Sequence, residues 1–112
     1  MIIEKTRHDG CTVLALEGTI RLGESADFFS RMLGRTLVED TGHVLIDFSK
    51  INHIDSTGIG ELVGHLQKFR DQQRKVVLVN PSERIGQLLA MAKLDSLFDV
   101  YASLDEALAA EA

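Results

Sequence analysis

The sequence predicts an α/β fold in which an N-terminal hairpin is followed by alternating strands and helices. Short apolar runs rich in β-branched residues alternate with segments whose apolar residues recur every three or four positions. Parallel strands must be joined by a crossover, usually a helix, so this alternation indicates a mixed, mostly parallel sheet of four or five strands with about four helices. The length of 112 residues suits one domain, residues 1–112, with a single core.

The first two strands are expected to form the hairpin. Strand-like runs at residues 2–7 and 12–17 flank Asp9-Gly10, a dipeptide typical of tight hairpin turns. Gly18 is expected to end the second strand, because glycine weakens a strand and often marks its end. The residues that follow would then connect this strand to the first helix.

The middle of the chain carries the first complete strand–helix pair. A helix is expected to begin at Glu24 and to end at Thr41-Gly42, in the manner of a C-terminal glycine cap. The apolar run at residues 44–48 reads as a mostly buried strand. The next helix begins at Ser56, and its apolar face is formed by Ile59, Leu62, Val63, Leu66 and Phe69.

Two further strand–helix pairs complete the chain. Residues 75–79 form a third buried strand, and Ser82 is expected to cap the helix that follows the turn at residues 80–82. A last short strand is expected within residues 97–101. The segment 103–106 then forms a capping box that opens the final helix.

Three loops are expected to meet at one edge of this sheet. They comprise residues 18–22, 52–58 and 80–82, and each follows a strand of the predicted sheet. Functional residues of such sheets gather beyond the carboxyl ends of the strands. We therefore expect the three loops to be neighbours and to form the functional surface.

Composition excludes several classes of protein and site. The formal net charge of −5 argues against nucleic acid or an anionic membrane as a partner. The sequence contains no apolar run of about 18 residues, so it predicts no membrane span. Its single cysteine, Cys11, permits no internal disulfide. The histidines lack metal-ligand spacing, and no nucleophile–base pair or carboxylate pair stands out. We therefore expect no metal, no cofactor and no catalytic residues.

Ser56 is the candidate functional residue, because it lies where an apolar strand gives way to an amphipathic helix. The sequence Asp55-Ser56-Thr57-Gly58 is a cluster of helix-start residues. A hydroxyl there faces unpaired backbone N–H groups and the positive end of the helix dipole, so the same position would accommodate a phosphate. Spacing alone leaves two interpretations open, a plain helix cap and a functional hydroxyl.

The order Asp-Ser-Thr-Gly-Ile-Gly at residues 55–60 resembles the signature of STAS domains, specifically of bacterial anti-sigma factor antagonists. The resemblance extends from the hairpin to the last helix. It implies a non-enzymatic cytoplasmic switch that binds an anti-sigma factor, usually also a serine kinase, and so frees a sigma factor. Phosphorylation of Ser56 would end the binding, and a PP2C-type phosphatase would reset it. A homodimer is left open.

The resemblance also implies a surface around Ser56 that contacts the partner. The candidate residues are those of the three loops and the first helical turn: Thr19, Arg21, Asp55, Ser56, Thr57, Gly58, Ile59 and Ser82. Arg21 departs from the family, which often has Gly-(Glu/Arg)-Leu-Asp here. It is expected next to Ser56, where it could hold a phosphate, contact the partner or simply be solvated.

Two further expectations follow from this segment. Gly58 and Gly60 together cost the helix about 2 kcal/mol relative to alanine, which indicates a close approach by another chain or by a neighbouring element. The alternative function is a STAS subunit of an ABC-type lipid transporter, or a scaffold module of a signalling assembly.

Overall fold

The computed structural model describes residues 1–111 and has the predicted mixed sheet with four α-helices. The five strands lie in the order β1-β2-β3-β4-β5; β1 and β2 are antiparallel and all other neighbours are parallel. No helix in the described part is both long and apolar enough to cross a membrane. The elements are β1 (Ile2–His8), β2 (Cys11–Ile20), α1 (Glu24–Glu39), β3 (Val44–Ile54), α2 (Ser56–Asp71), β4 (Val76–Val79), α3 (Glu83–Met91), a 3-10 turn (Asp95–Leu97), β5 (Asp99–Tyr101) and α4 (Leu104–Glu111).

Helices cover both faces of the sheet, and the strand residues alternate between them. The larger core lies between the sheet and α1, α2 and α3, where Leu14, Ile46 and Leu78 are fully buried. On the other face Leu45 and Val77 pack with residues of α4. Successive strand side chains point to opposite faces, so one apolar run supplies both cores.

The prediction that Gly18 ends the second strand is wrong. The backbone of Gly18 has φ 117° and lies at an irregularity in the pairing of β2 with β3, beyond which β2 continues to Ile20. A glycine accommodates this bulge, because other residues rarely adopt a positive φ. β3 is likewise longer than the predicted 44–48, and its last residue, Ile54, pairs with Ile20. This extension carries both strands to the candidate site.

Two element ends also differ from prediction. Helix α1 ends at Glu39, with Asp40 as the C-cap, rather than at Thr41-Gly42. Gly42 is instead required by packing, because a side chain there would collide with the carbonyl oxygen of Gly10 in the hairpin turn. The last strand is confined to Asp99–Tyr101.

Arg74 connects several elements at the end of the sheet opposite the candidate site. Its buried guanidinium donates to the carbonyl oxygens of Leu37, at 3.0 Å, and Gly42, at 2.7 Å, and stacks 4.6 Å above the ring of Phe69. The last carbonyls of a helix have no partner within the helix, so a planar group with several donors suits the end of α1. Arg74 therefore connects α1, α2 and the approach to β4.

Replacement of Arg74 by lysine is expected to lower the free energy of unfolding by about 1.5–3 kcal/mol, because one ammonium cannot replace the bonds of a guanidinium to several carbonyls. Urea unfolding measures the effect. The matched control is Arg70→Lys on the exposed side of α2, which should change stability by less than about 0.5 kcal/mol. Equal effects at the two positions would contradict the role given to Arg74.

Candidate functional site

The extended ends of β2 and β3 form the base of the site. Thr19 pairs with His53 and Ile20 with Ile54, and the next backbone N–H, that of Asp55, donates to the carbonyl oxygen of Ile20 at 3.0 Å. The loop after β2 and the start of α2 are therefore direct neighbours. This confirms the expectation for the first two of the three loops.

Asp55 caps α2 and at the same time holds the neighbouring loop. One carboxylate oxygen accepts from the backbone N–H of Gly58 at 2.9 Å, and the other accepts from the backbone N–H of Leu22 at 2.8 Å. These two hydrogen bonds lower the pKa of Asp55 below its ordinary value, and the bond from Gly58 has the larger effect. The side chain thus stays ionised at neutral pH and fixes the loop against the helix.

Ser56 is the first residue of α2, and its side chain is exposed. The hydroxyl takes part in no side-chain hydrogen bond within residues 1–111, because the capping position is occupied by Asp55. The sequence left open whether the serine is merely the cap, and the structure assigns that role to Asp55. Ser56 therefore presents an unbonded hydroxyl to solvent at the positive end of a helix. The next hydroxyl, on Thr57, is half-buried.

Gly58 allows the helix start to lie directly on the ends of the two strands. A Cβ atom at this buried position would lie 2.7 Å from a side-chain carbon of Ile20 and 2.7 Å from one of Ile54. The close approach expected at Gly58 is therefore made by neighbouring elements of the same chain. Gly60 is exposed, and within residues 1–111 no neighbouring element comes within 4 Å of the place that a Cβ atom would take there. Approach of another chain at Gly60 stays a prediction.

An apolar groove of about 480 Å³ lies beside Ser56, between the start of α2 and helix α3. His53 and Asp55 line it together with Ser56, and Arg84 lines it from the first turn of α3. Its apolar lining is made by Ile54, Ile59, Leu88, Met91 and Ala92. The candidate residue Ile59 is thus part of the groove and also packs against the core.

Arg84 is the charged residue of this groove that the sequence reasoning missed. It lies 28 positions after Ser56 (84 − 56), on another helix, so no local motif connects the two. A signal was nevertheless present, because Arg84, Leu88 and Met91 follow the i, i+4, i+7 spacing of one helix face. That face meets the groove.

Arg21 lines a different cavity, so its expected place beside Ser56 is only partly correct. Its loop is attached to Asp55 through Leu22, but Arg21 itself borders a cavity of about 770 Å³. The same cavity is bordered by the acidic residues Glu24 and Asp27 and by the candidate Thr19. The groove next to Ser56 does not include Arg21.

The third loop reaches the site less directly than expected. Ser82 caps α3 by accepting from the backbone N–H of Ile85 at 3.2 Å, as predicted. The side chain of Asn80 donates to the hydroxyl of Ser49 at 3.2 Å, and Ser49 lies in the middle of β3 rather than at its end. The helix after this loop, not the loop itself, therefore contributes to the groove through Arg84, and the direct part of Ser82 in partner binding stays a prediction.

The side chains that could ligate a metal ion do not cluster within residues 1–111. Among residues 1–111, no group of three or more His, Cys, Asp or Glu side chains could hold a metal ion. The histidines have separate neighbours: the ring of His65 contacts the carbonyl of Glu61, and that of His43 accepts from the backbone N–H of Lys75. The candidate site thus consists of the Ser56 hydroxyl, the apolar groove and the charged side chains of Asp55 and Arg84.

Comparison with known proteins decides the family. The sequence model of the STAS domain matches residues 3–107. The chain belongs to the STAS domain family. The resemblance to STAS domains noted from residues 55–60 is thereby confirmed, and the match covers nearly the whole chain.

Similar proteins include antagonists of anti-sigma factors and domains of transporters. An anti-sigma-B factor antagonist of Staphylococcus epidermidis is 32% identical over 62 residues, which are 55% of this chain and 57% of that relative. The chain thus spans little more than half of that relative. A structure of a putative anti-sigma factor antagonist from Thermotoga maritima matches with TM-score 0.89 and 21% identity, over 97% of this chain and 93% of the other. The STAS domain of a SulP transporter from Vibrio cholerae matches with TM-score 0.72 and 28% identity, over 94% and 83%.

Substitution of alanine at the two glycines of the first turns is expected to have opposite effects. Gly58→Ala should lower the free energy of unfolding by about 1–3 kcal/mol, because the added methyl group overlaps two fully buried isoleucines. Gly60→Ala should raise it by about 0.5–1 kcal/mol through helix propensity. Denaturant unfolding of both variants checks this. A loss of stability at Gly60, or none at Gly58, would contradict the described packing.

Proposed function

We propose that this protein is an anti-sigma factor antagonist, and that phosphorylation of Ser56 switches off its binding to an anti-sigma factor. The supporting observation is that Ser56 is exposed and that Asp55, not Ser56, caps the helix. The name of the Staphylococcus epidermidis relative supports the antagonist role. In this proposal residues 1–112 act as one binding domain in the cytoplasm, without catalysis and without a cofactor.

The proposed partner surface combines the Ser56 hydroxyl with apolar side chains on either side of it. Leu22, held by Asp55, is 77% exposed, and Met91 at the groove is 80% exposed. Large apolar side chains so exposed contribute most when a partner buries them. We assign the centre of the interface to Ser56 and Ile59, with Thr19, Thr57 and Ser82 around it.

Phosphorylation would act on this surface through charge and bulk rather than through refolding. A phosphate adds about −1.5 to −2 charges at neutral pH. It would lie at a helix N-terminus, which tolerates anions, so α2 should stay folded. The added charge would stand beside the Asp55 carboxylate and the apolar groove, where a partner fitted to the neutral hydroxyl would have to desolvate it.

The proposal requires two enzymes outside this chain. The anti-sigma factor would itself be the serine kinase, with ATP as the phosphate donor, and a PP2C-type phosphatase would remove the phosphate. A homodimer is not needed for the proposed switch.

The second candidate is a STAS subunit of an ABC-type lipid transporter or a scaffold module of a signalling assembly, and the similarity to the STAS domain of a SulP transporter from Vibrio cholerae supports an association with a transporter. In that case the Ser56 surface would contact a transporter or a scaffold protein instead of an anti-sigma factor. The neighbouring genes separate the two: a kinase-like anti-sigma factor and a PP2C-type phosphatase, or a permease and an ATPase.

Phosphorylation and binding are expected to depend on Ser56 alone among the nearby hydroxyls. Incubation with the cognate kinase and ATP should place one phosphate on Ser56, as located by mass spectrometry. Ser56→Asp should weaken binding to the anti-sigma factor by at least about 30-fold, equivalent to about 2 kcal/mol. Ser96→Asp is the matched control, because it adds the same charge at an exposed serine of the 3-10 turn outside the proposed surface, and it should bind as the wild type does.

Two results would contradict this assignment. One is phosphate on Thr57 or Ser82 with Ser56 unmodified. The other is capture of a permease or an ATPase from the native cell by the wild type, with no anti-sigma factor retained, which would favour the transporter role.

A further inference from the structure

Within residues 1–111, Arg84 is the only lysine or arginine that lines the apolar groove beside Ser56. Arg84 lines the groove from the first turn of α3, and Leu88 and Met91 continue its face along the same helix. Ser56 lines the groove from the first residue of α2. The serine and the arginine therefore stand at the rim of one apolar depression.

The guanidinium of Arg84 has no competing partner in the described part of the chain. Its side chain is exposed, and no ion pair or side-chain hydrogen bond within residues 1–111 involves it. The adjacent acid Glu83 accepts from Gln87 at 3.5 Å. The acid of the groove, Asp55, already accepts from two backbone N–H groups.

The other candidate cation is placed less well. Arg21 borders a separate cavity, which Glu24 and Asp27 also line and Ser56 does not. A phosphate on Ser56 would enter the groove that Arg84 borders, not the cavity of Arg21. The sequence pointed to Arg21, and the structure points to Arg84.

We propose that Arg84 binds the phosphate of phosphorylated Ser56 across the mouth of the groove and thereby covers the apolar surface that the unphosphorylated protein offers. A guanidinium binds two phosphate oxygens at once, which fixes both side chains over the groove. The switch then removes the apolar contact as well as adding charge. This inference rests on the proposed phosphorylation of Ser56 and identifies Arg84 as the residue that binds the phosphate.

The charged and titratable groups around that phosphate come from three elements. They are His53 from β3, Asp55 at the start of α2, and Arg84 from α3, together with the N-terminal dipole of α2. Asp55 and the dipole are the same in every variant below. Because the imidazole of His53 lines the same groove, the measurement is repeated in a His53→Asn background.

The test uses protein with phosphoserine incorporated at position 56 during translation, so it needs no kinase. Phosphorus NMR over pH 4–9 gives the second pKa of the phosphate, which is about 6 for a free phosphoserine. In Arg84→Gln this pKa should rise by about 0.5–1 unit relative to the wild-type sequence, because the nearby cation is lost. Arg84→Lys should restore part of the difference, and Arg21→Gln should leave the pKa unchanged.

A second readout follows the covering of the groove. The methyl group of Met91, labelled with carbon-13, should shift on phosphoserine incorporation in the wild-type sequence and much less in Arg84→Gln. Met32, which lies on α1 and packs against the larger core, is the matched control and should not shift. Equal pKa values in the wild type and Arg84→Gln, or a rise in Arg21→Gln instead, would overturn the assignment of Arg84.

The outcomes separate this inference from the proposed function. A normal kinase reaction at Ser56 with no effect of Arg84→Gln rejects the role of Arg84 and leaves the switch intact. An Arg84-dependent pKa in a protein that the cognate kinase does not modify supports the contact and rejects the switch.

Discussion

The two hydrogen bonds of the Asp55 carboxylate are the interaction on which the site depends. One bond satisfies the N-terminus of α2, and the other holds the loop after β2 at Leu22. The geometry exists only because β2 and β3 continue side by side to Ile20 and Ile54. A capping side chain with two acceptor oxygens thus performs two structural tasks, and the neighbouring Ser56 is left without any.

This division of roles agrees with the proposed switch, which requires no conformational change. The helix start lies so close to the strand ends that Gly58 has no room for a side chain, and Arg74 fixes the other end of the helix layer. The scaffold around Ser56 is therefore tightly held. In the proposed switch, a phosphate on the serine would change the charge of the surface that a partner contacts, and the contact proposed for Arg84 would extend that change over the groove.

The overall fold was predictable from the sequence because apolar runs and helical spacing are local signals. The length of β2 and β3 was not, because Gly18 reads as a strand end and residues 49–54 contain polar side chains typical of a loop. Their strand conformation comes from pairing with each other, which is a tertiary interaction. Likewise the motif located Asp55 and Ser56, but only the geometry decides which of them caps the helix. Arg84 approaches from a separate helix, so the motif around Ser56 did not identify it, and its helical spacing with Leu88 and Met91 was the one signal in the sequence.

The most direct test of this account compares the stability of Ser56→Ala with that of Asp55→Ala. If Asp55 alone holds the helix start and the loop, Ser56→Ala should unfold within about 0.5 kcal/mol of the wild type. Asp55→Ala should unfold at a clearly lower urea concentration, because both backbone N–H groups lose their acceptor. A loss in Ser56→Ala as large as that in Asp55→Ala would show that the serine caps the helix, and would contradict the central claim.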